Sequence, residues 1–114
     1  MSDSCLFCRI ASGGIPADIV AESGDLMAFR DVAPQAPVHV LVIPRVHHPN
    51  IAALAQADEQ ILGALVSFAA HTADELGLSG GYRLVANTGP EAGQSVDHVH
   101  IHILGGRQLQ WPPG

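Results

Sequence analysis

The sequence predicts an α+β domain: a largely antiparallel five-stranded sheet with one long helix and a short N-terminal helix. Segments of strand character stand both before and after a single stretch of helical periodicity, so the strand–helix alternation of a doubly wound parallel sheet is missing. The strand candidates are short and bounded by glycine, proline and Ser-Gly-Asp turns. A chain of 114 residues has room for one hydrophobic core and little else, so residues 1–114 read as a single domain.

In chain order, residues 5–11 form a short helix or turn whose apolar members are Leu6, Phe7 and Ile10, ended by Gly13-Gly14 and Pro16, with Ile15 packed beside it. Residues 19–22 and 26–30 make a hairpin around Ser23-Gly24-Asp25. After a loop at residues 34–37, residues 38–44 are β-branched and apolar apart from His39, and they stop at Pro44, which cannot donate to a ladder. Asp58 is an N-cap for Ile61, Leu62, Leu65, Val66, Ala69, Ala73 and Leu76, a 3.6-residue period that stops at Gly77. Residues 82–87 and 97–104 supply two more strands across a glycine-punctuated loop at 88–95.

Composition narrows the function. A hydrophobic share of 47% against 14% charged residues places the chain among those that fold. The net charge is -6 and the five basic residues are scattered, so no basic stripe exists for a nucleic-acid polymer. All five are arginine; without lysine there is no P-loop lysine, no Schiff-base lysine and no Ser-Lys pair. The start lacks a basic leader, and the longest apolar run, residues 61–70, is about half a bilayer span. No membrane partner is expected, and the location expected is cytoplasmic. There, two cysteines are more often metal ligands or redox thiols than a disulfide.

Three groups of residues carry chemistry. His98, His100 and His102 alternate along a strand, so their rings leave one face while Val99, Ile101 and Ile103 leave the other. A wet strand face explains one such histidine more readily than three. A metal is the first option for imidazoles, but positions i and i+4 lie roughly 13 Å apart on a strand rising ~3.3 Å per residue, awkward for one tetrahedral ion. Nucleophilic attack by the middle histidine between two partners fits better. Cys5-Leu6-Phe7-Cys8 has the spacing of a zinc pair or an active disulfide, and buried unliganded thiols are the bland alternative. No strand precedes it as a redox motif requires, and His47 (or His48) and His98 are natural further zinc donors. Gly93-Gln94-Ser95 offers backbone and hydroxyl donors to phosphate oxygens, or is an ordinary loop; Val96-Asp97 after Ser95 rules out a serine nucleophile elbow.

With His98-Val99-His100-Ile101-His102-Ile103 preceded by Gly93-Gln94-Ser95, the chain resembles the histidine-triad (HIT) family, specifically its HINT branch. The likeness runs nearly end to end, through Ile15-Pro16-Ala17, Phe29-Arg30-Asp31, Pro34-Gln35-Ala36-Pro37, Leu41-Val42-Ile43-Pro44, Gly81-Tyr82-Arg83, Leu104-Gly105-Gly106-Arg107 and Trp111-Pro112-Pro113-Gly114. The resemblance implies a homodimer with one continuous sheet, and hydrolysis of purine nucleoside phosphoramidates or aminoacyl-adenylate-like compounds. In that reading His100 attacks the α-phosphorus, Ser95 and His102 hold phosphate oxygens or the leaving group, and His39 supports them. Asp31 accepts from the ribose hydroxyls, Asn87, Gly93 and Gln94 line the phosphate site, and Leu6, Phe7, Ile10, Ile15, Val32 and Val96 form the base slot. The cysteine pair departs from the animal HINT pattern and resembles bacterial members that hold a structural zinc on Cys5, Cys8, His47 and His98. Two rivals stand beside the enzyme: a binding or interaction module that keeps the nucleotide pocket without turnover, and a metal-centred protein in which the histidine face is the metal site.

Overall fold

The computed structural model describes residues 4–114. Its elements are α1 (Leu6–Ala11), β1 (Ile19–Ser23), β2 (Leu26–Arg30), β3 (Val38–Pro44), α2 (Ile51–Ala57), α3 (Glu59–Glu75), β4 (Tyr82–Val85) and β5 (Ile101–Gly105). The strands form one antiparallel five-stranded sheet, as expected, and its order is β1-β2-β3-β5-β4.

Alternation along the central strands divides the core in two. Leu26, Ala28, Val40, Val42, Ile101 and Ile103 enter one buried cluster, whereas Met27, Phe29, Leu41 and Ile43 enter another. A sheet with two apolar faces needs cover on both. Leu54 of α2 and Leu65, Ala69 and Ala73 of α3 seal the first face. The second is covered only in part, by Phe7 and Ile10 of α1. Arg45 fastens the end of that helix, donating to the Ala11 carbonyl at 3.0 Å and the Gly24 carbonyl at 2.9 Å while pairing with Glu22.

Three expectations need correction. The expected long helix stands as α3, which Asp58 starts by accepting from Ile61 N–H at 3.1 Å, but a further helix precedes it: the Asn50 side chain accepts from the Ala53 N–H at 2.9 Å and starts α2. The described residues therefore hold three α-helices, together with a short 3-10 turn at Pro90–Ala92. The last strand begins at Ile101, not at residue 97. Continuing the Val42–Ile101 register by two residues would set Val99 opposite Pro44, which has no N–H to give. Val99 N–H goes instead to the His48 carbonyl at 2.7 Å. The β4–β5 ladder closes at Val85 and His102, so β4 ends there rather than at residue 87, whose place in the register faces His100, outside the ladder.

Gly106 fixes the turn after β5. Gly106 has φ +90, and a Cβ there would sit 2.9 Å from Pro37 Cβ. Gly106→Ala is expected to cost about 1–3 kcal/mol, from overpacking and the left-handed backbone together; a lowered urea midpoint at unchanged m-value is the measurement. Among the described residues no helix is long and apolar enough to cross a membrane.

Candidate active site

The uncovered half of the second sheet face holds a cavity of about 560 Å³. Its floor is a row of directly paired side chains, Phe29 of β2, Leu41 of β3 and His102 of β5. Leu6, Phe7 and Ile10 of α1 make one wall, and Ile15 and Val96 continue it. Asp31, Ser95 and His100 bring polar groups to the lining, and Val32, fully exposed, also borders it. An apolar slot with a few converging polar groups is the usual form of a small-molecule site.

All three triad histidines lie on the α1 side of the sheet, but only His102 belongs to the ladder. His100 precedes it. Its Nδ1 lies 2.7 Å from the His98 carbonyl, which can only accept, so Nδ1 carries the hydrogen and Nε2 the lone pair. Phe7 meets the ring edge-on at 5.1 Å and holds it. Every side-chain nitrogen or oxygen sealed from solvent among the described residues has a hydrogen-bond partner. His100 Nε2 and His102 Nε2 have none, so both reach solvent through the cavity that the two rings line.

Behind His102 stands His39, Nε2 to Nδ1 at 2.9 Å, with Asp31 Oδ2 3.4 Å from the same His39 nitrogen. Burial lowers the proton affinity of His39, against the Asp31 charge, which raises it. His102 is driven down to about 4 by burial first and then by its neighbours His100 and His39, with Asp31 opposing. A neutral imidazole with a depressed folded-state pKa favours folding above its ordinary value of 6.5 and loses that advantage as pH falls toward 4, because the unfolded chain takes up the proton first. The urea midpoint is therefore expected to drop between those pH values, and to drop less in His102→Gln.

The second constellation is a cluster of Cys5, Cys8, His47 and His98, whose ligand atoms all lie within 4.8 Å of one another. His98 Nδ1 stands 3.4 Å from Cys5 Sγ and 3.5 Å from Cys8 Sγ, and His47 Nδ1 stands 3.4 Å from Cys8 Sγ. The other side of the His98 ring decides whether a metal fits. Nε2 donates to the Pro44 carbonyl at 2.8 Å, so the lone pair is on Nδ1 and faces the thiols, the outer-shell arrangement of a metal-bound histidine. Burial, then the neighbouring histidines, lower the His98 pKa and keep the ring neutral, with the Pro44 bond opposing. Two soft sulfurs and two imidazoles are a donor set suited to a metal such as zinc.

The structure thus brings the four cluster residues together, and it brings ten of the thirteen residues expected at the substrate site to the cavity. Asn87, Gly93 and Gln94 are not in its lining. Gln94 holds the loop itself: its amide donates to Pro49 and Val96 carbonyls at 2.7 and 3.0 Å and accepts from Gly89 N–H at 2.9 Å. His39 supports the site from behind the lining. Sequence reasoning missed Pro16, Ala17, Asp18, Phe29, Arg30 and Leu41. Strand parity offered a signal for two of them, since Phe29 and Leu41 share a row with His102 once the registers are known.

Sheet order, helices and a histidine-lined cavity define the histidine-triad fold. The family profile of the HIT domain matches residues 12–109, and the chain belongs to the HIT family. It is similar to an uncharacterized HIT-like protein of Synechococcus elongatus, 51% identical over 114 residues and the full length of both chains. Among solved structures it resembles a HIT family hydrolase from Legionella pneumophila, TM-score 0.93 at 47% identity, covering 97% of this chain and 100% of that one. A histidine triad nucleotide-binding protein from Candida albicans has a TM-score of 0.83 at 30% identity, covering 96% of this chain and 83% of that one.

Proposed function

We propose that the protein hydrolyses purine nucleoside 5′-phosphoramidates and aminoacyl-adenylate-like compounds to the nucleoside monophosphate, as a HINT-type member of its family. One observation carries the reading: the bond from His100 Nδ1 to the His98 carbonyl at 2.7 Å leaves the Nε2 lone pair open to the cavity. The base lies in the apolar slot between α1 and the sheet, and the Asp31 carboxylate accepts from the ribose hydroxyls. Names given to relatives, a hydrolase and a nucleotide-binding protein, agree with this assignment.

In the first step His100 Nε2 bonds to phosphorus and the bond to the leaving group breaks, its electron pair going with the leaving group. An amine takes up one proton from solvent water in the cavity as it departs; a carboxylate leaves as the anion. Ser95 and the N–H of His102 donate to the phosphoryl oxygens. The loop of Asn87, Gly93 and Gln94 shapes the phosphate end. In the second step a water oxygen bonds to phosphorus, the bond to Nε2 breaks, and water releases the proton that balances the one taken by the amine. Two easier steps replace one slow step.

Cys5, Cys8, His47 and His98 would hold a zinc ion that fills all four positions with protein ligands and so acts structurally. Two copies pair into one continuous sheet, with the end strand β4 offering the edge. Reduced thiols at the metal cluster suit a cytoplasmic location. The reaction is tested by mixing the protein with an adenosine phosphoramidate and quenching in acid-free denaturant for intact mass. An AMP adduct that decays with AMP release is the expected result; a protein that gives neither adduct nor AMP is not this enzyme.

A further inference from the structure

The order of hydrogen bonds behind the cavity is set from one end. The backbone N–H of Gln35 points at His39 Nδ1 from 3.0 Å, and an amide N–H can only donate, so Nδ1 is the bare nitrogen. Neutral His39 therefore carries its hydrogen on Nε2. Of the two groups near that nitrogen, His102 Nδ1 at 2.9 Å is within ordinary hydrogen-bond reach, whereas Asp31 Oδ2 at 3.4 Å is long. His39 donates to His102 Nδ1, and the His102 hydrogen is left on Nε2, which opens into the cavity.

We infer that the Gln35 backbone amide is a positioning group that fixes both tautomers and makes His102 a standing N–H donor toward the cavity. The amide is itself well held. Arg107 donates to the Gln35 carbonyl at 3.0 Å, the Gln35 side chain donates to the Ala33 carbonyl at 3.0 Å, and Pro37 packs against Gly106. His100 and His102, ring centroids 5.0 Å apart, thus present opposite faces of one chemistry: a lone pair on the first and a hydrogen on the second. This inference rests on the hydrolase reading for its use, since a phosphoryl oxygen needs an N–H and is repelled by a lone pair.

The same amide closes a second metal site. Asp31, His39 and His102 bring ligand atoms within 4.8 Å of one another. A metal on His39 Nε2 would force the ring hydrogen onto Nδ1, directly against the Gln35 N–H. The thiol cluster has the opposite arrangement, with a carbonyl on the far side of His98, and of the two clusters it is the one open to a metal.

Long-range 1H–15N correlation of the metal-loaded, 15N-labelled protein near pH 7.5 reads the tautomers directly. His39 and His102 are expected with bare Nδ1 and hydrogen-bearing Nε2, and His100 with the reverse. Gln35→Ala keeps the amide and should leave this pattern; Gln35→Pro removes it and should shift both nitrogens of His39 and His102 toward averaged positions, leaving His100 unmoved. A hydrogen on His39 Nδ1 in the unaltered protein overturns the inference, as does identical behaviour of the two variants; the unaltered spectrum decides alone if the proline variant does not fold. Should the tautomers stand while no AMP adduct forms, the hydrolase reading fails and the positioning role of the amide survives. An adduct formed with reversed tautomers keeps the hydrolase and removes that role.

Discussion

His100→Ala is expected to abolish the AMP adduct and to lower turnover by on the order of 10⁴- to 10⁶-fold, the scale seen when a nucleophile acting within a catalytic unit is removed. The expectation follows from atom placement. Nε2 of His100 is the one lone pair in the cavity whose partner nitrogen is tied to a carbonyl, and the neighbouring ring presents hydrogen instead. The ring also packs on Phe7, so alanine leaves a gap and some stability is lost. A comparison separates the two effects. Ser95→Ala removes one donor to the phosphoryl oxygens, and its cost should be nearer 10²-fold, with the adduct still formed. AMP affinity, measured by calorimetry, should fall only a few-fold in His100→Ala, because base and ribose contacts remain. Adduct accumulation in that variant would place the nucleophile elsewhere.

The strands and the site residues were legible for different reasons. Residues 26–30 and 38–44 read as strands because apolar side chains fill them apart from His39 and the final Arg30, and the sheet does bury both faces of those apolar runs. The metal set was legible as residue types at a spacing, Cys5 and Cys8, before any contact was known. What could not be read was the point at which the histidine segment leaves the ladder. Period-two alternation at residues 98–102 is the same in a strand and in an extended segment beside it. The difference lies in Pro44, a residue from another strand, and in the His48 carbonyl that collects the Val99 N–H. α2 was missed for a different reason: its seven residues show too few turns for periodicity, and only the Asn50 cap announces it. The cavity lining from Phe29 and Leu41 needs the strand registers, which local pattern does not contain.

Loss of the zinc ion proposed at Cys5, Cys8, His47 and His98 is the other change with a large expected effect. α1 has six residues, far below the length at which an isolated helix persists in water, so it depends on what clamps it. Arg45 holds its C-terminal end. At the other end stand the two thiols: Cys5 caps the helix, its Sγ accepting from the Cys8 N–H at 3.4 Å, and both sulfurs face His98. A metal on these four residues joins α1 to the segments after β3 and before β5. If free metal exceeds its dissociation constant about 1,000-fold, binding stabilises the fold by about 4 kcal/mol, which corresponds to roughly 10–20 °C in melting temperature for a domain of this size. Cys8→Ser, or wild type treated with a strong chelator, should show that drop. Elemental analysis should find one zinc per chain in wild type and in Asp31→Asn, and none in Cys8→Ser. Because Leu6 and Phe7, the residues between the ligands, form the wall of the cavity, the metal-free protein should also bind AMP more weakly. A Cys8→Ser protein that keeps its zinc and its melting temperature would show that the four side chains converge without serving an ion.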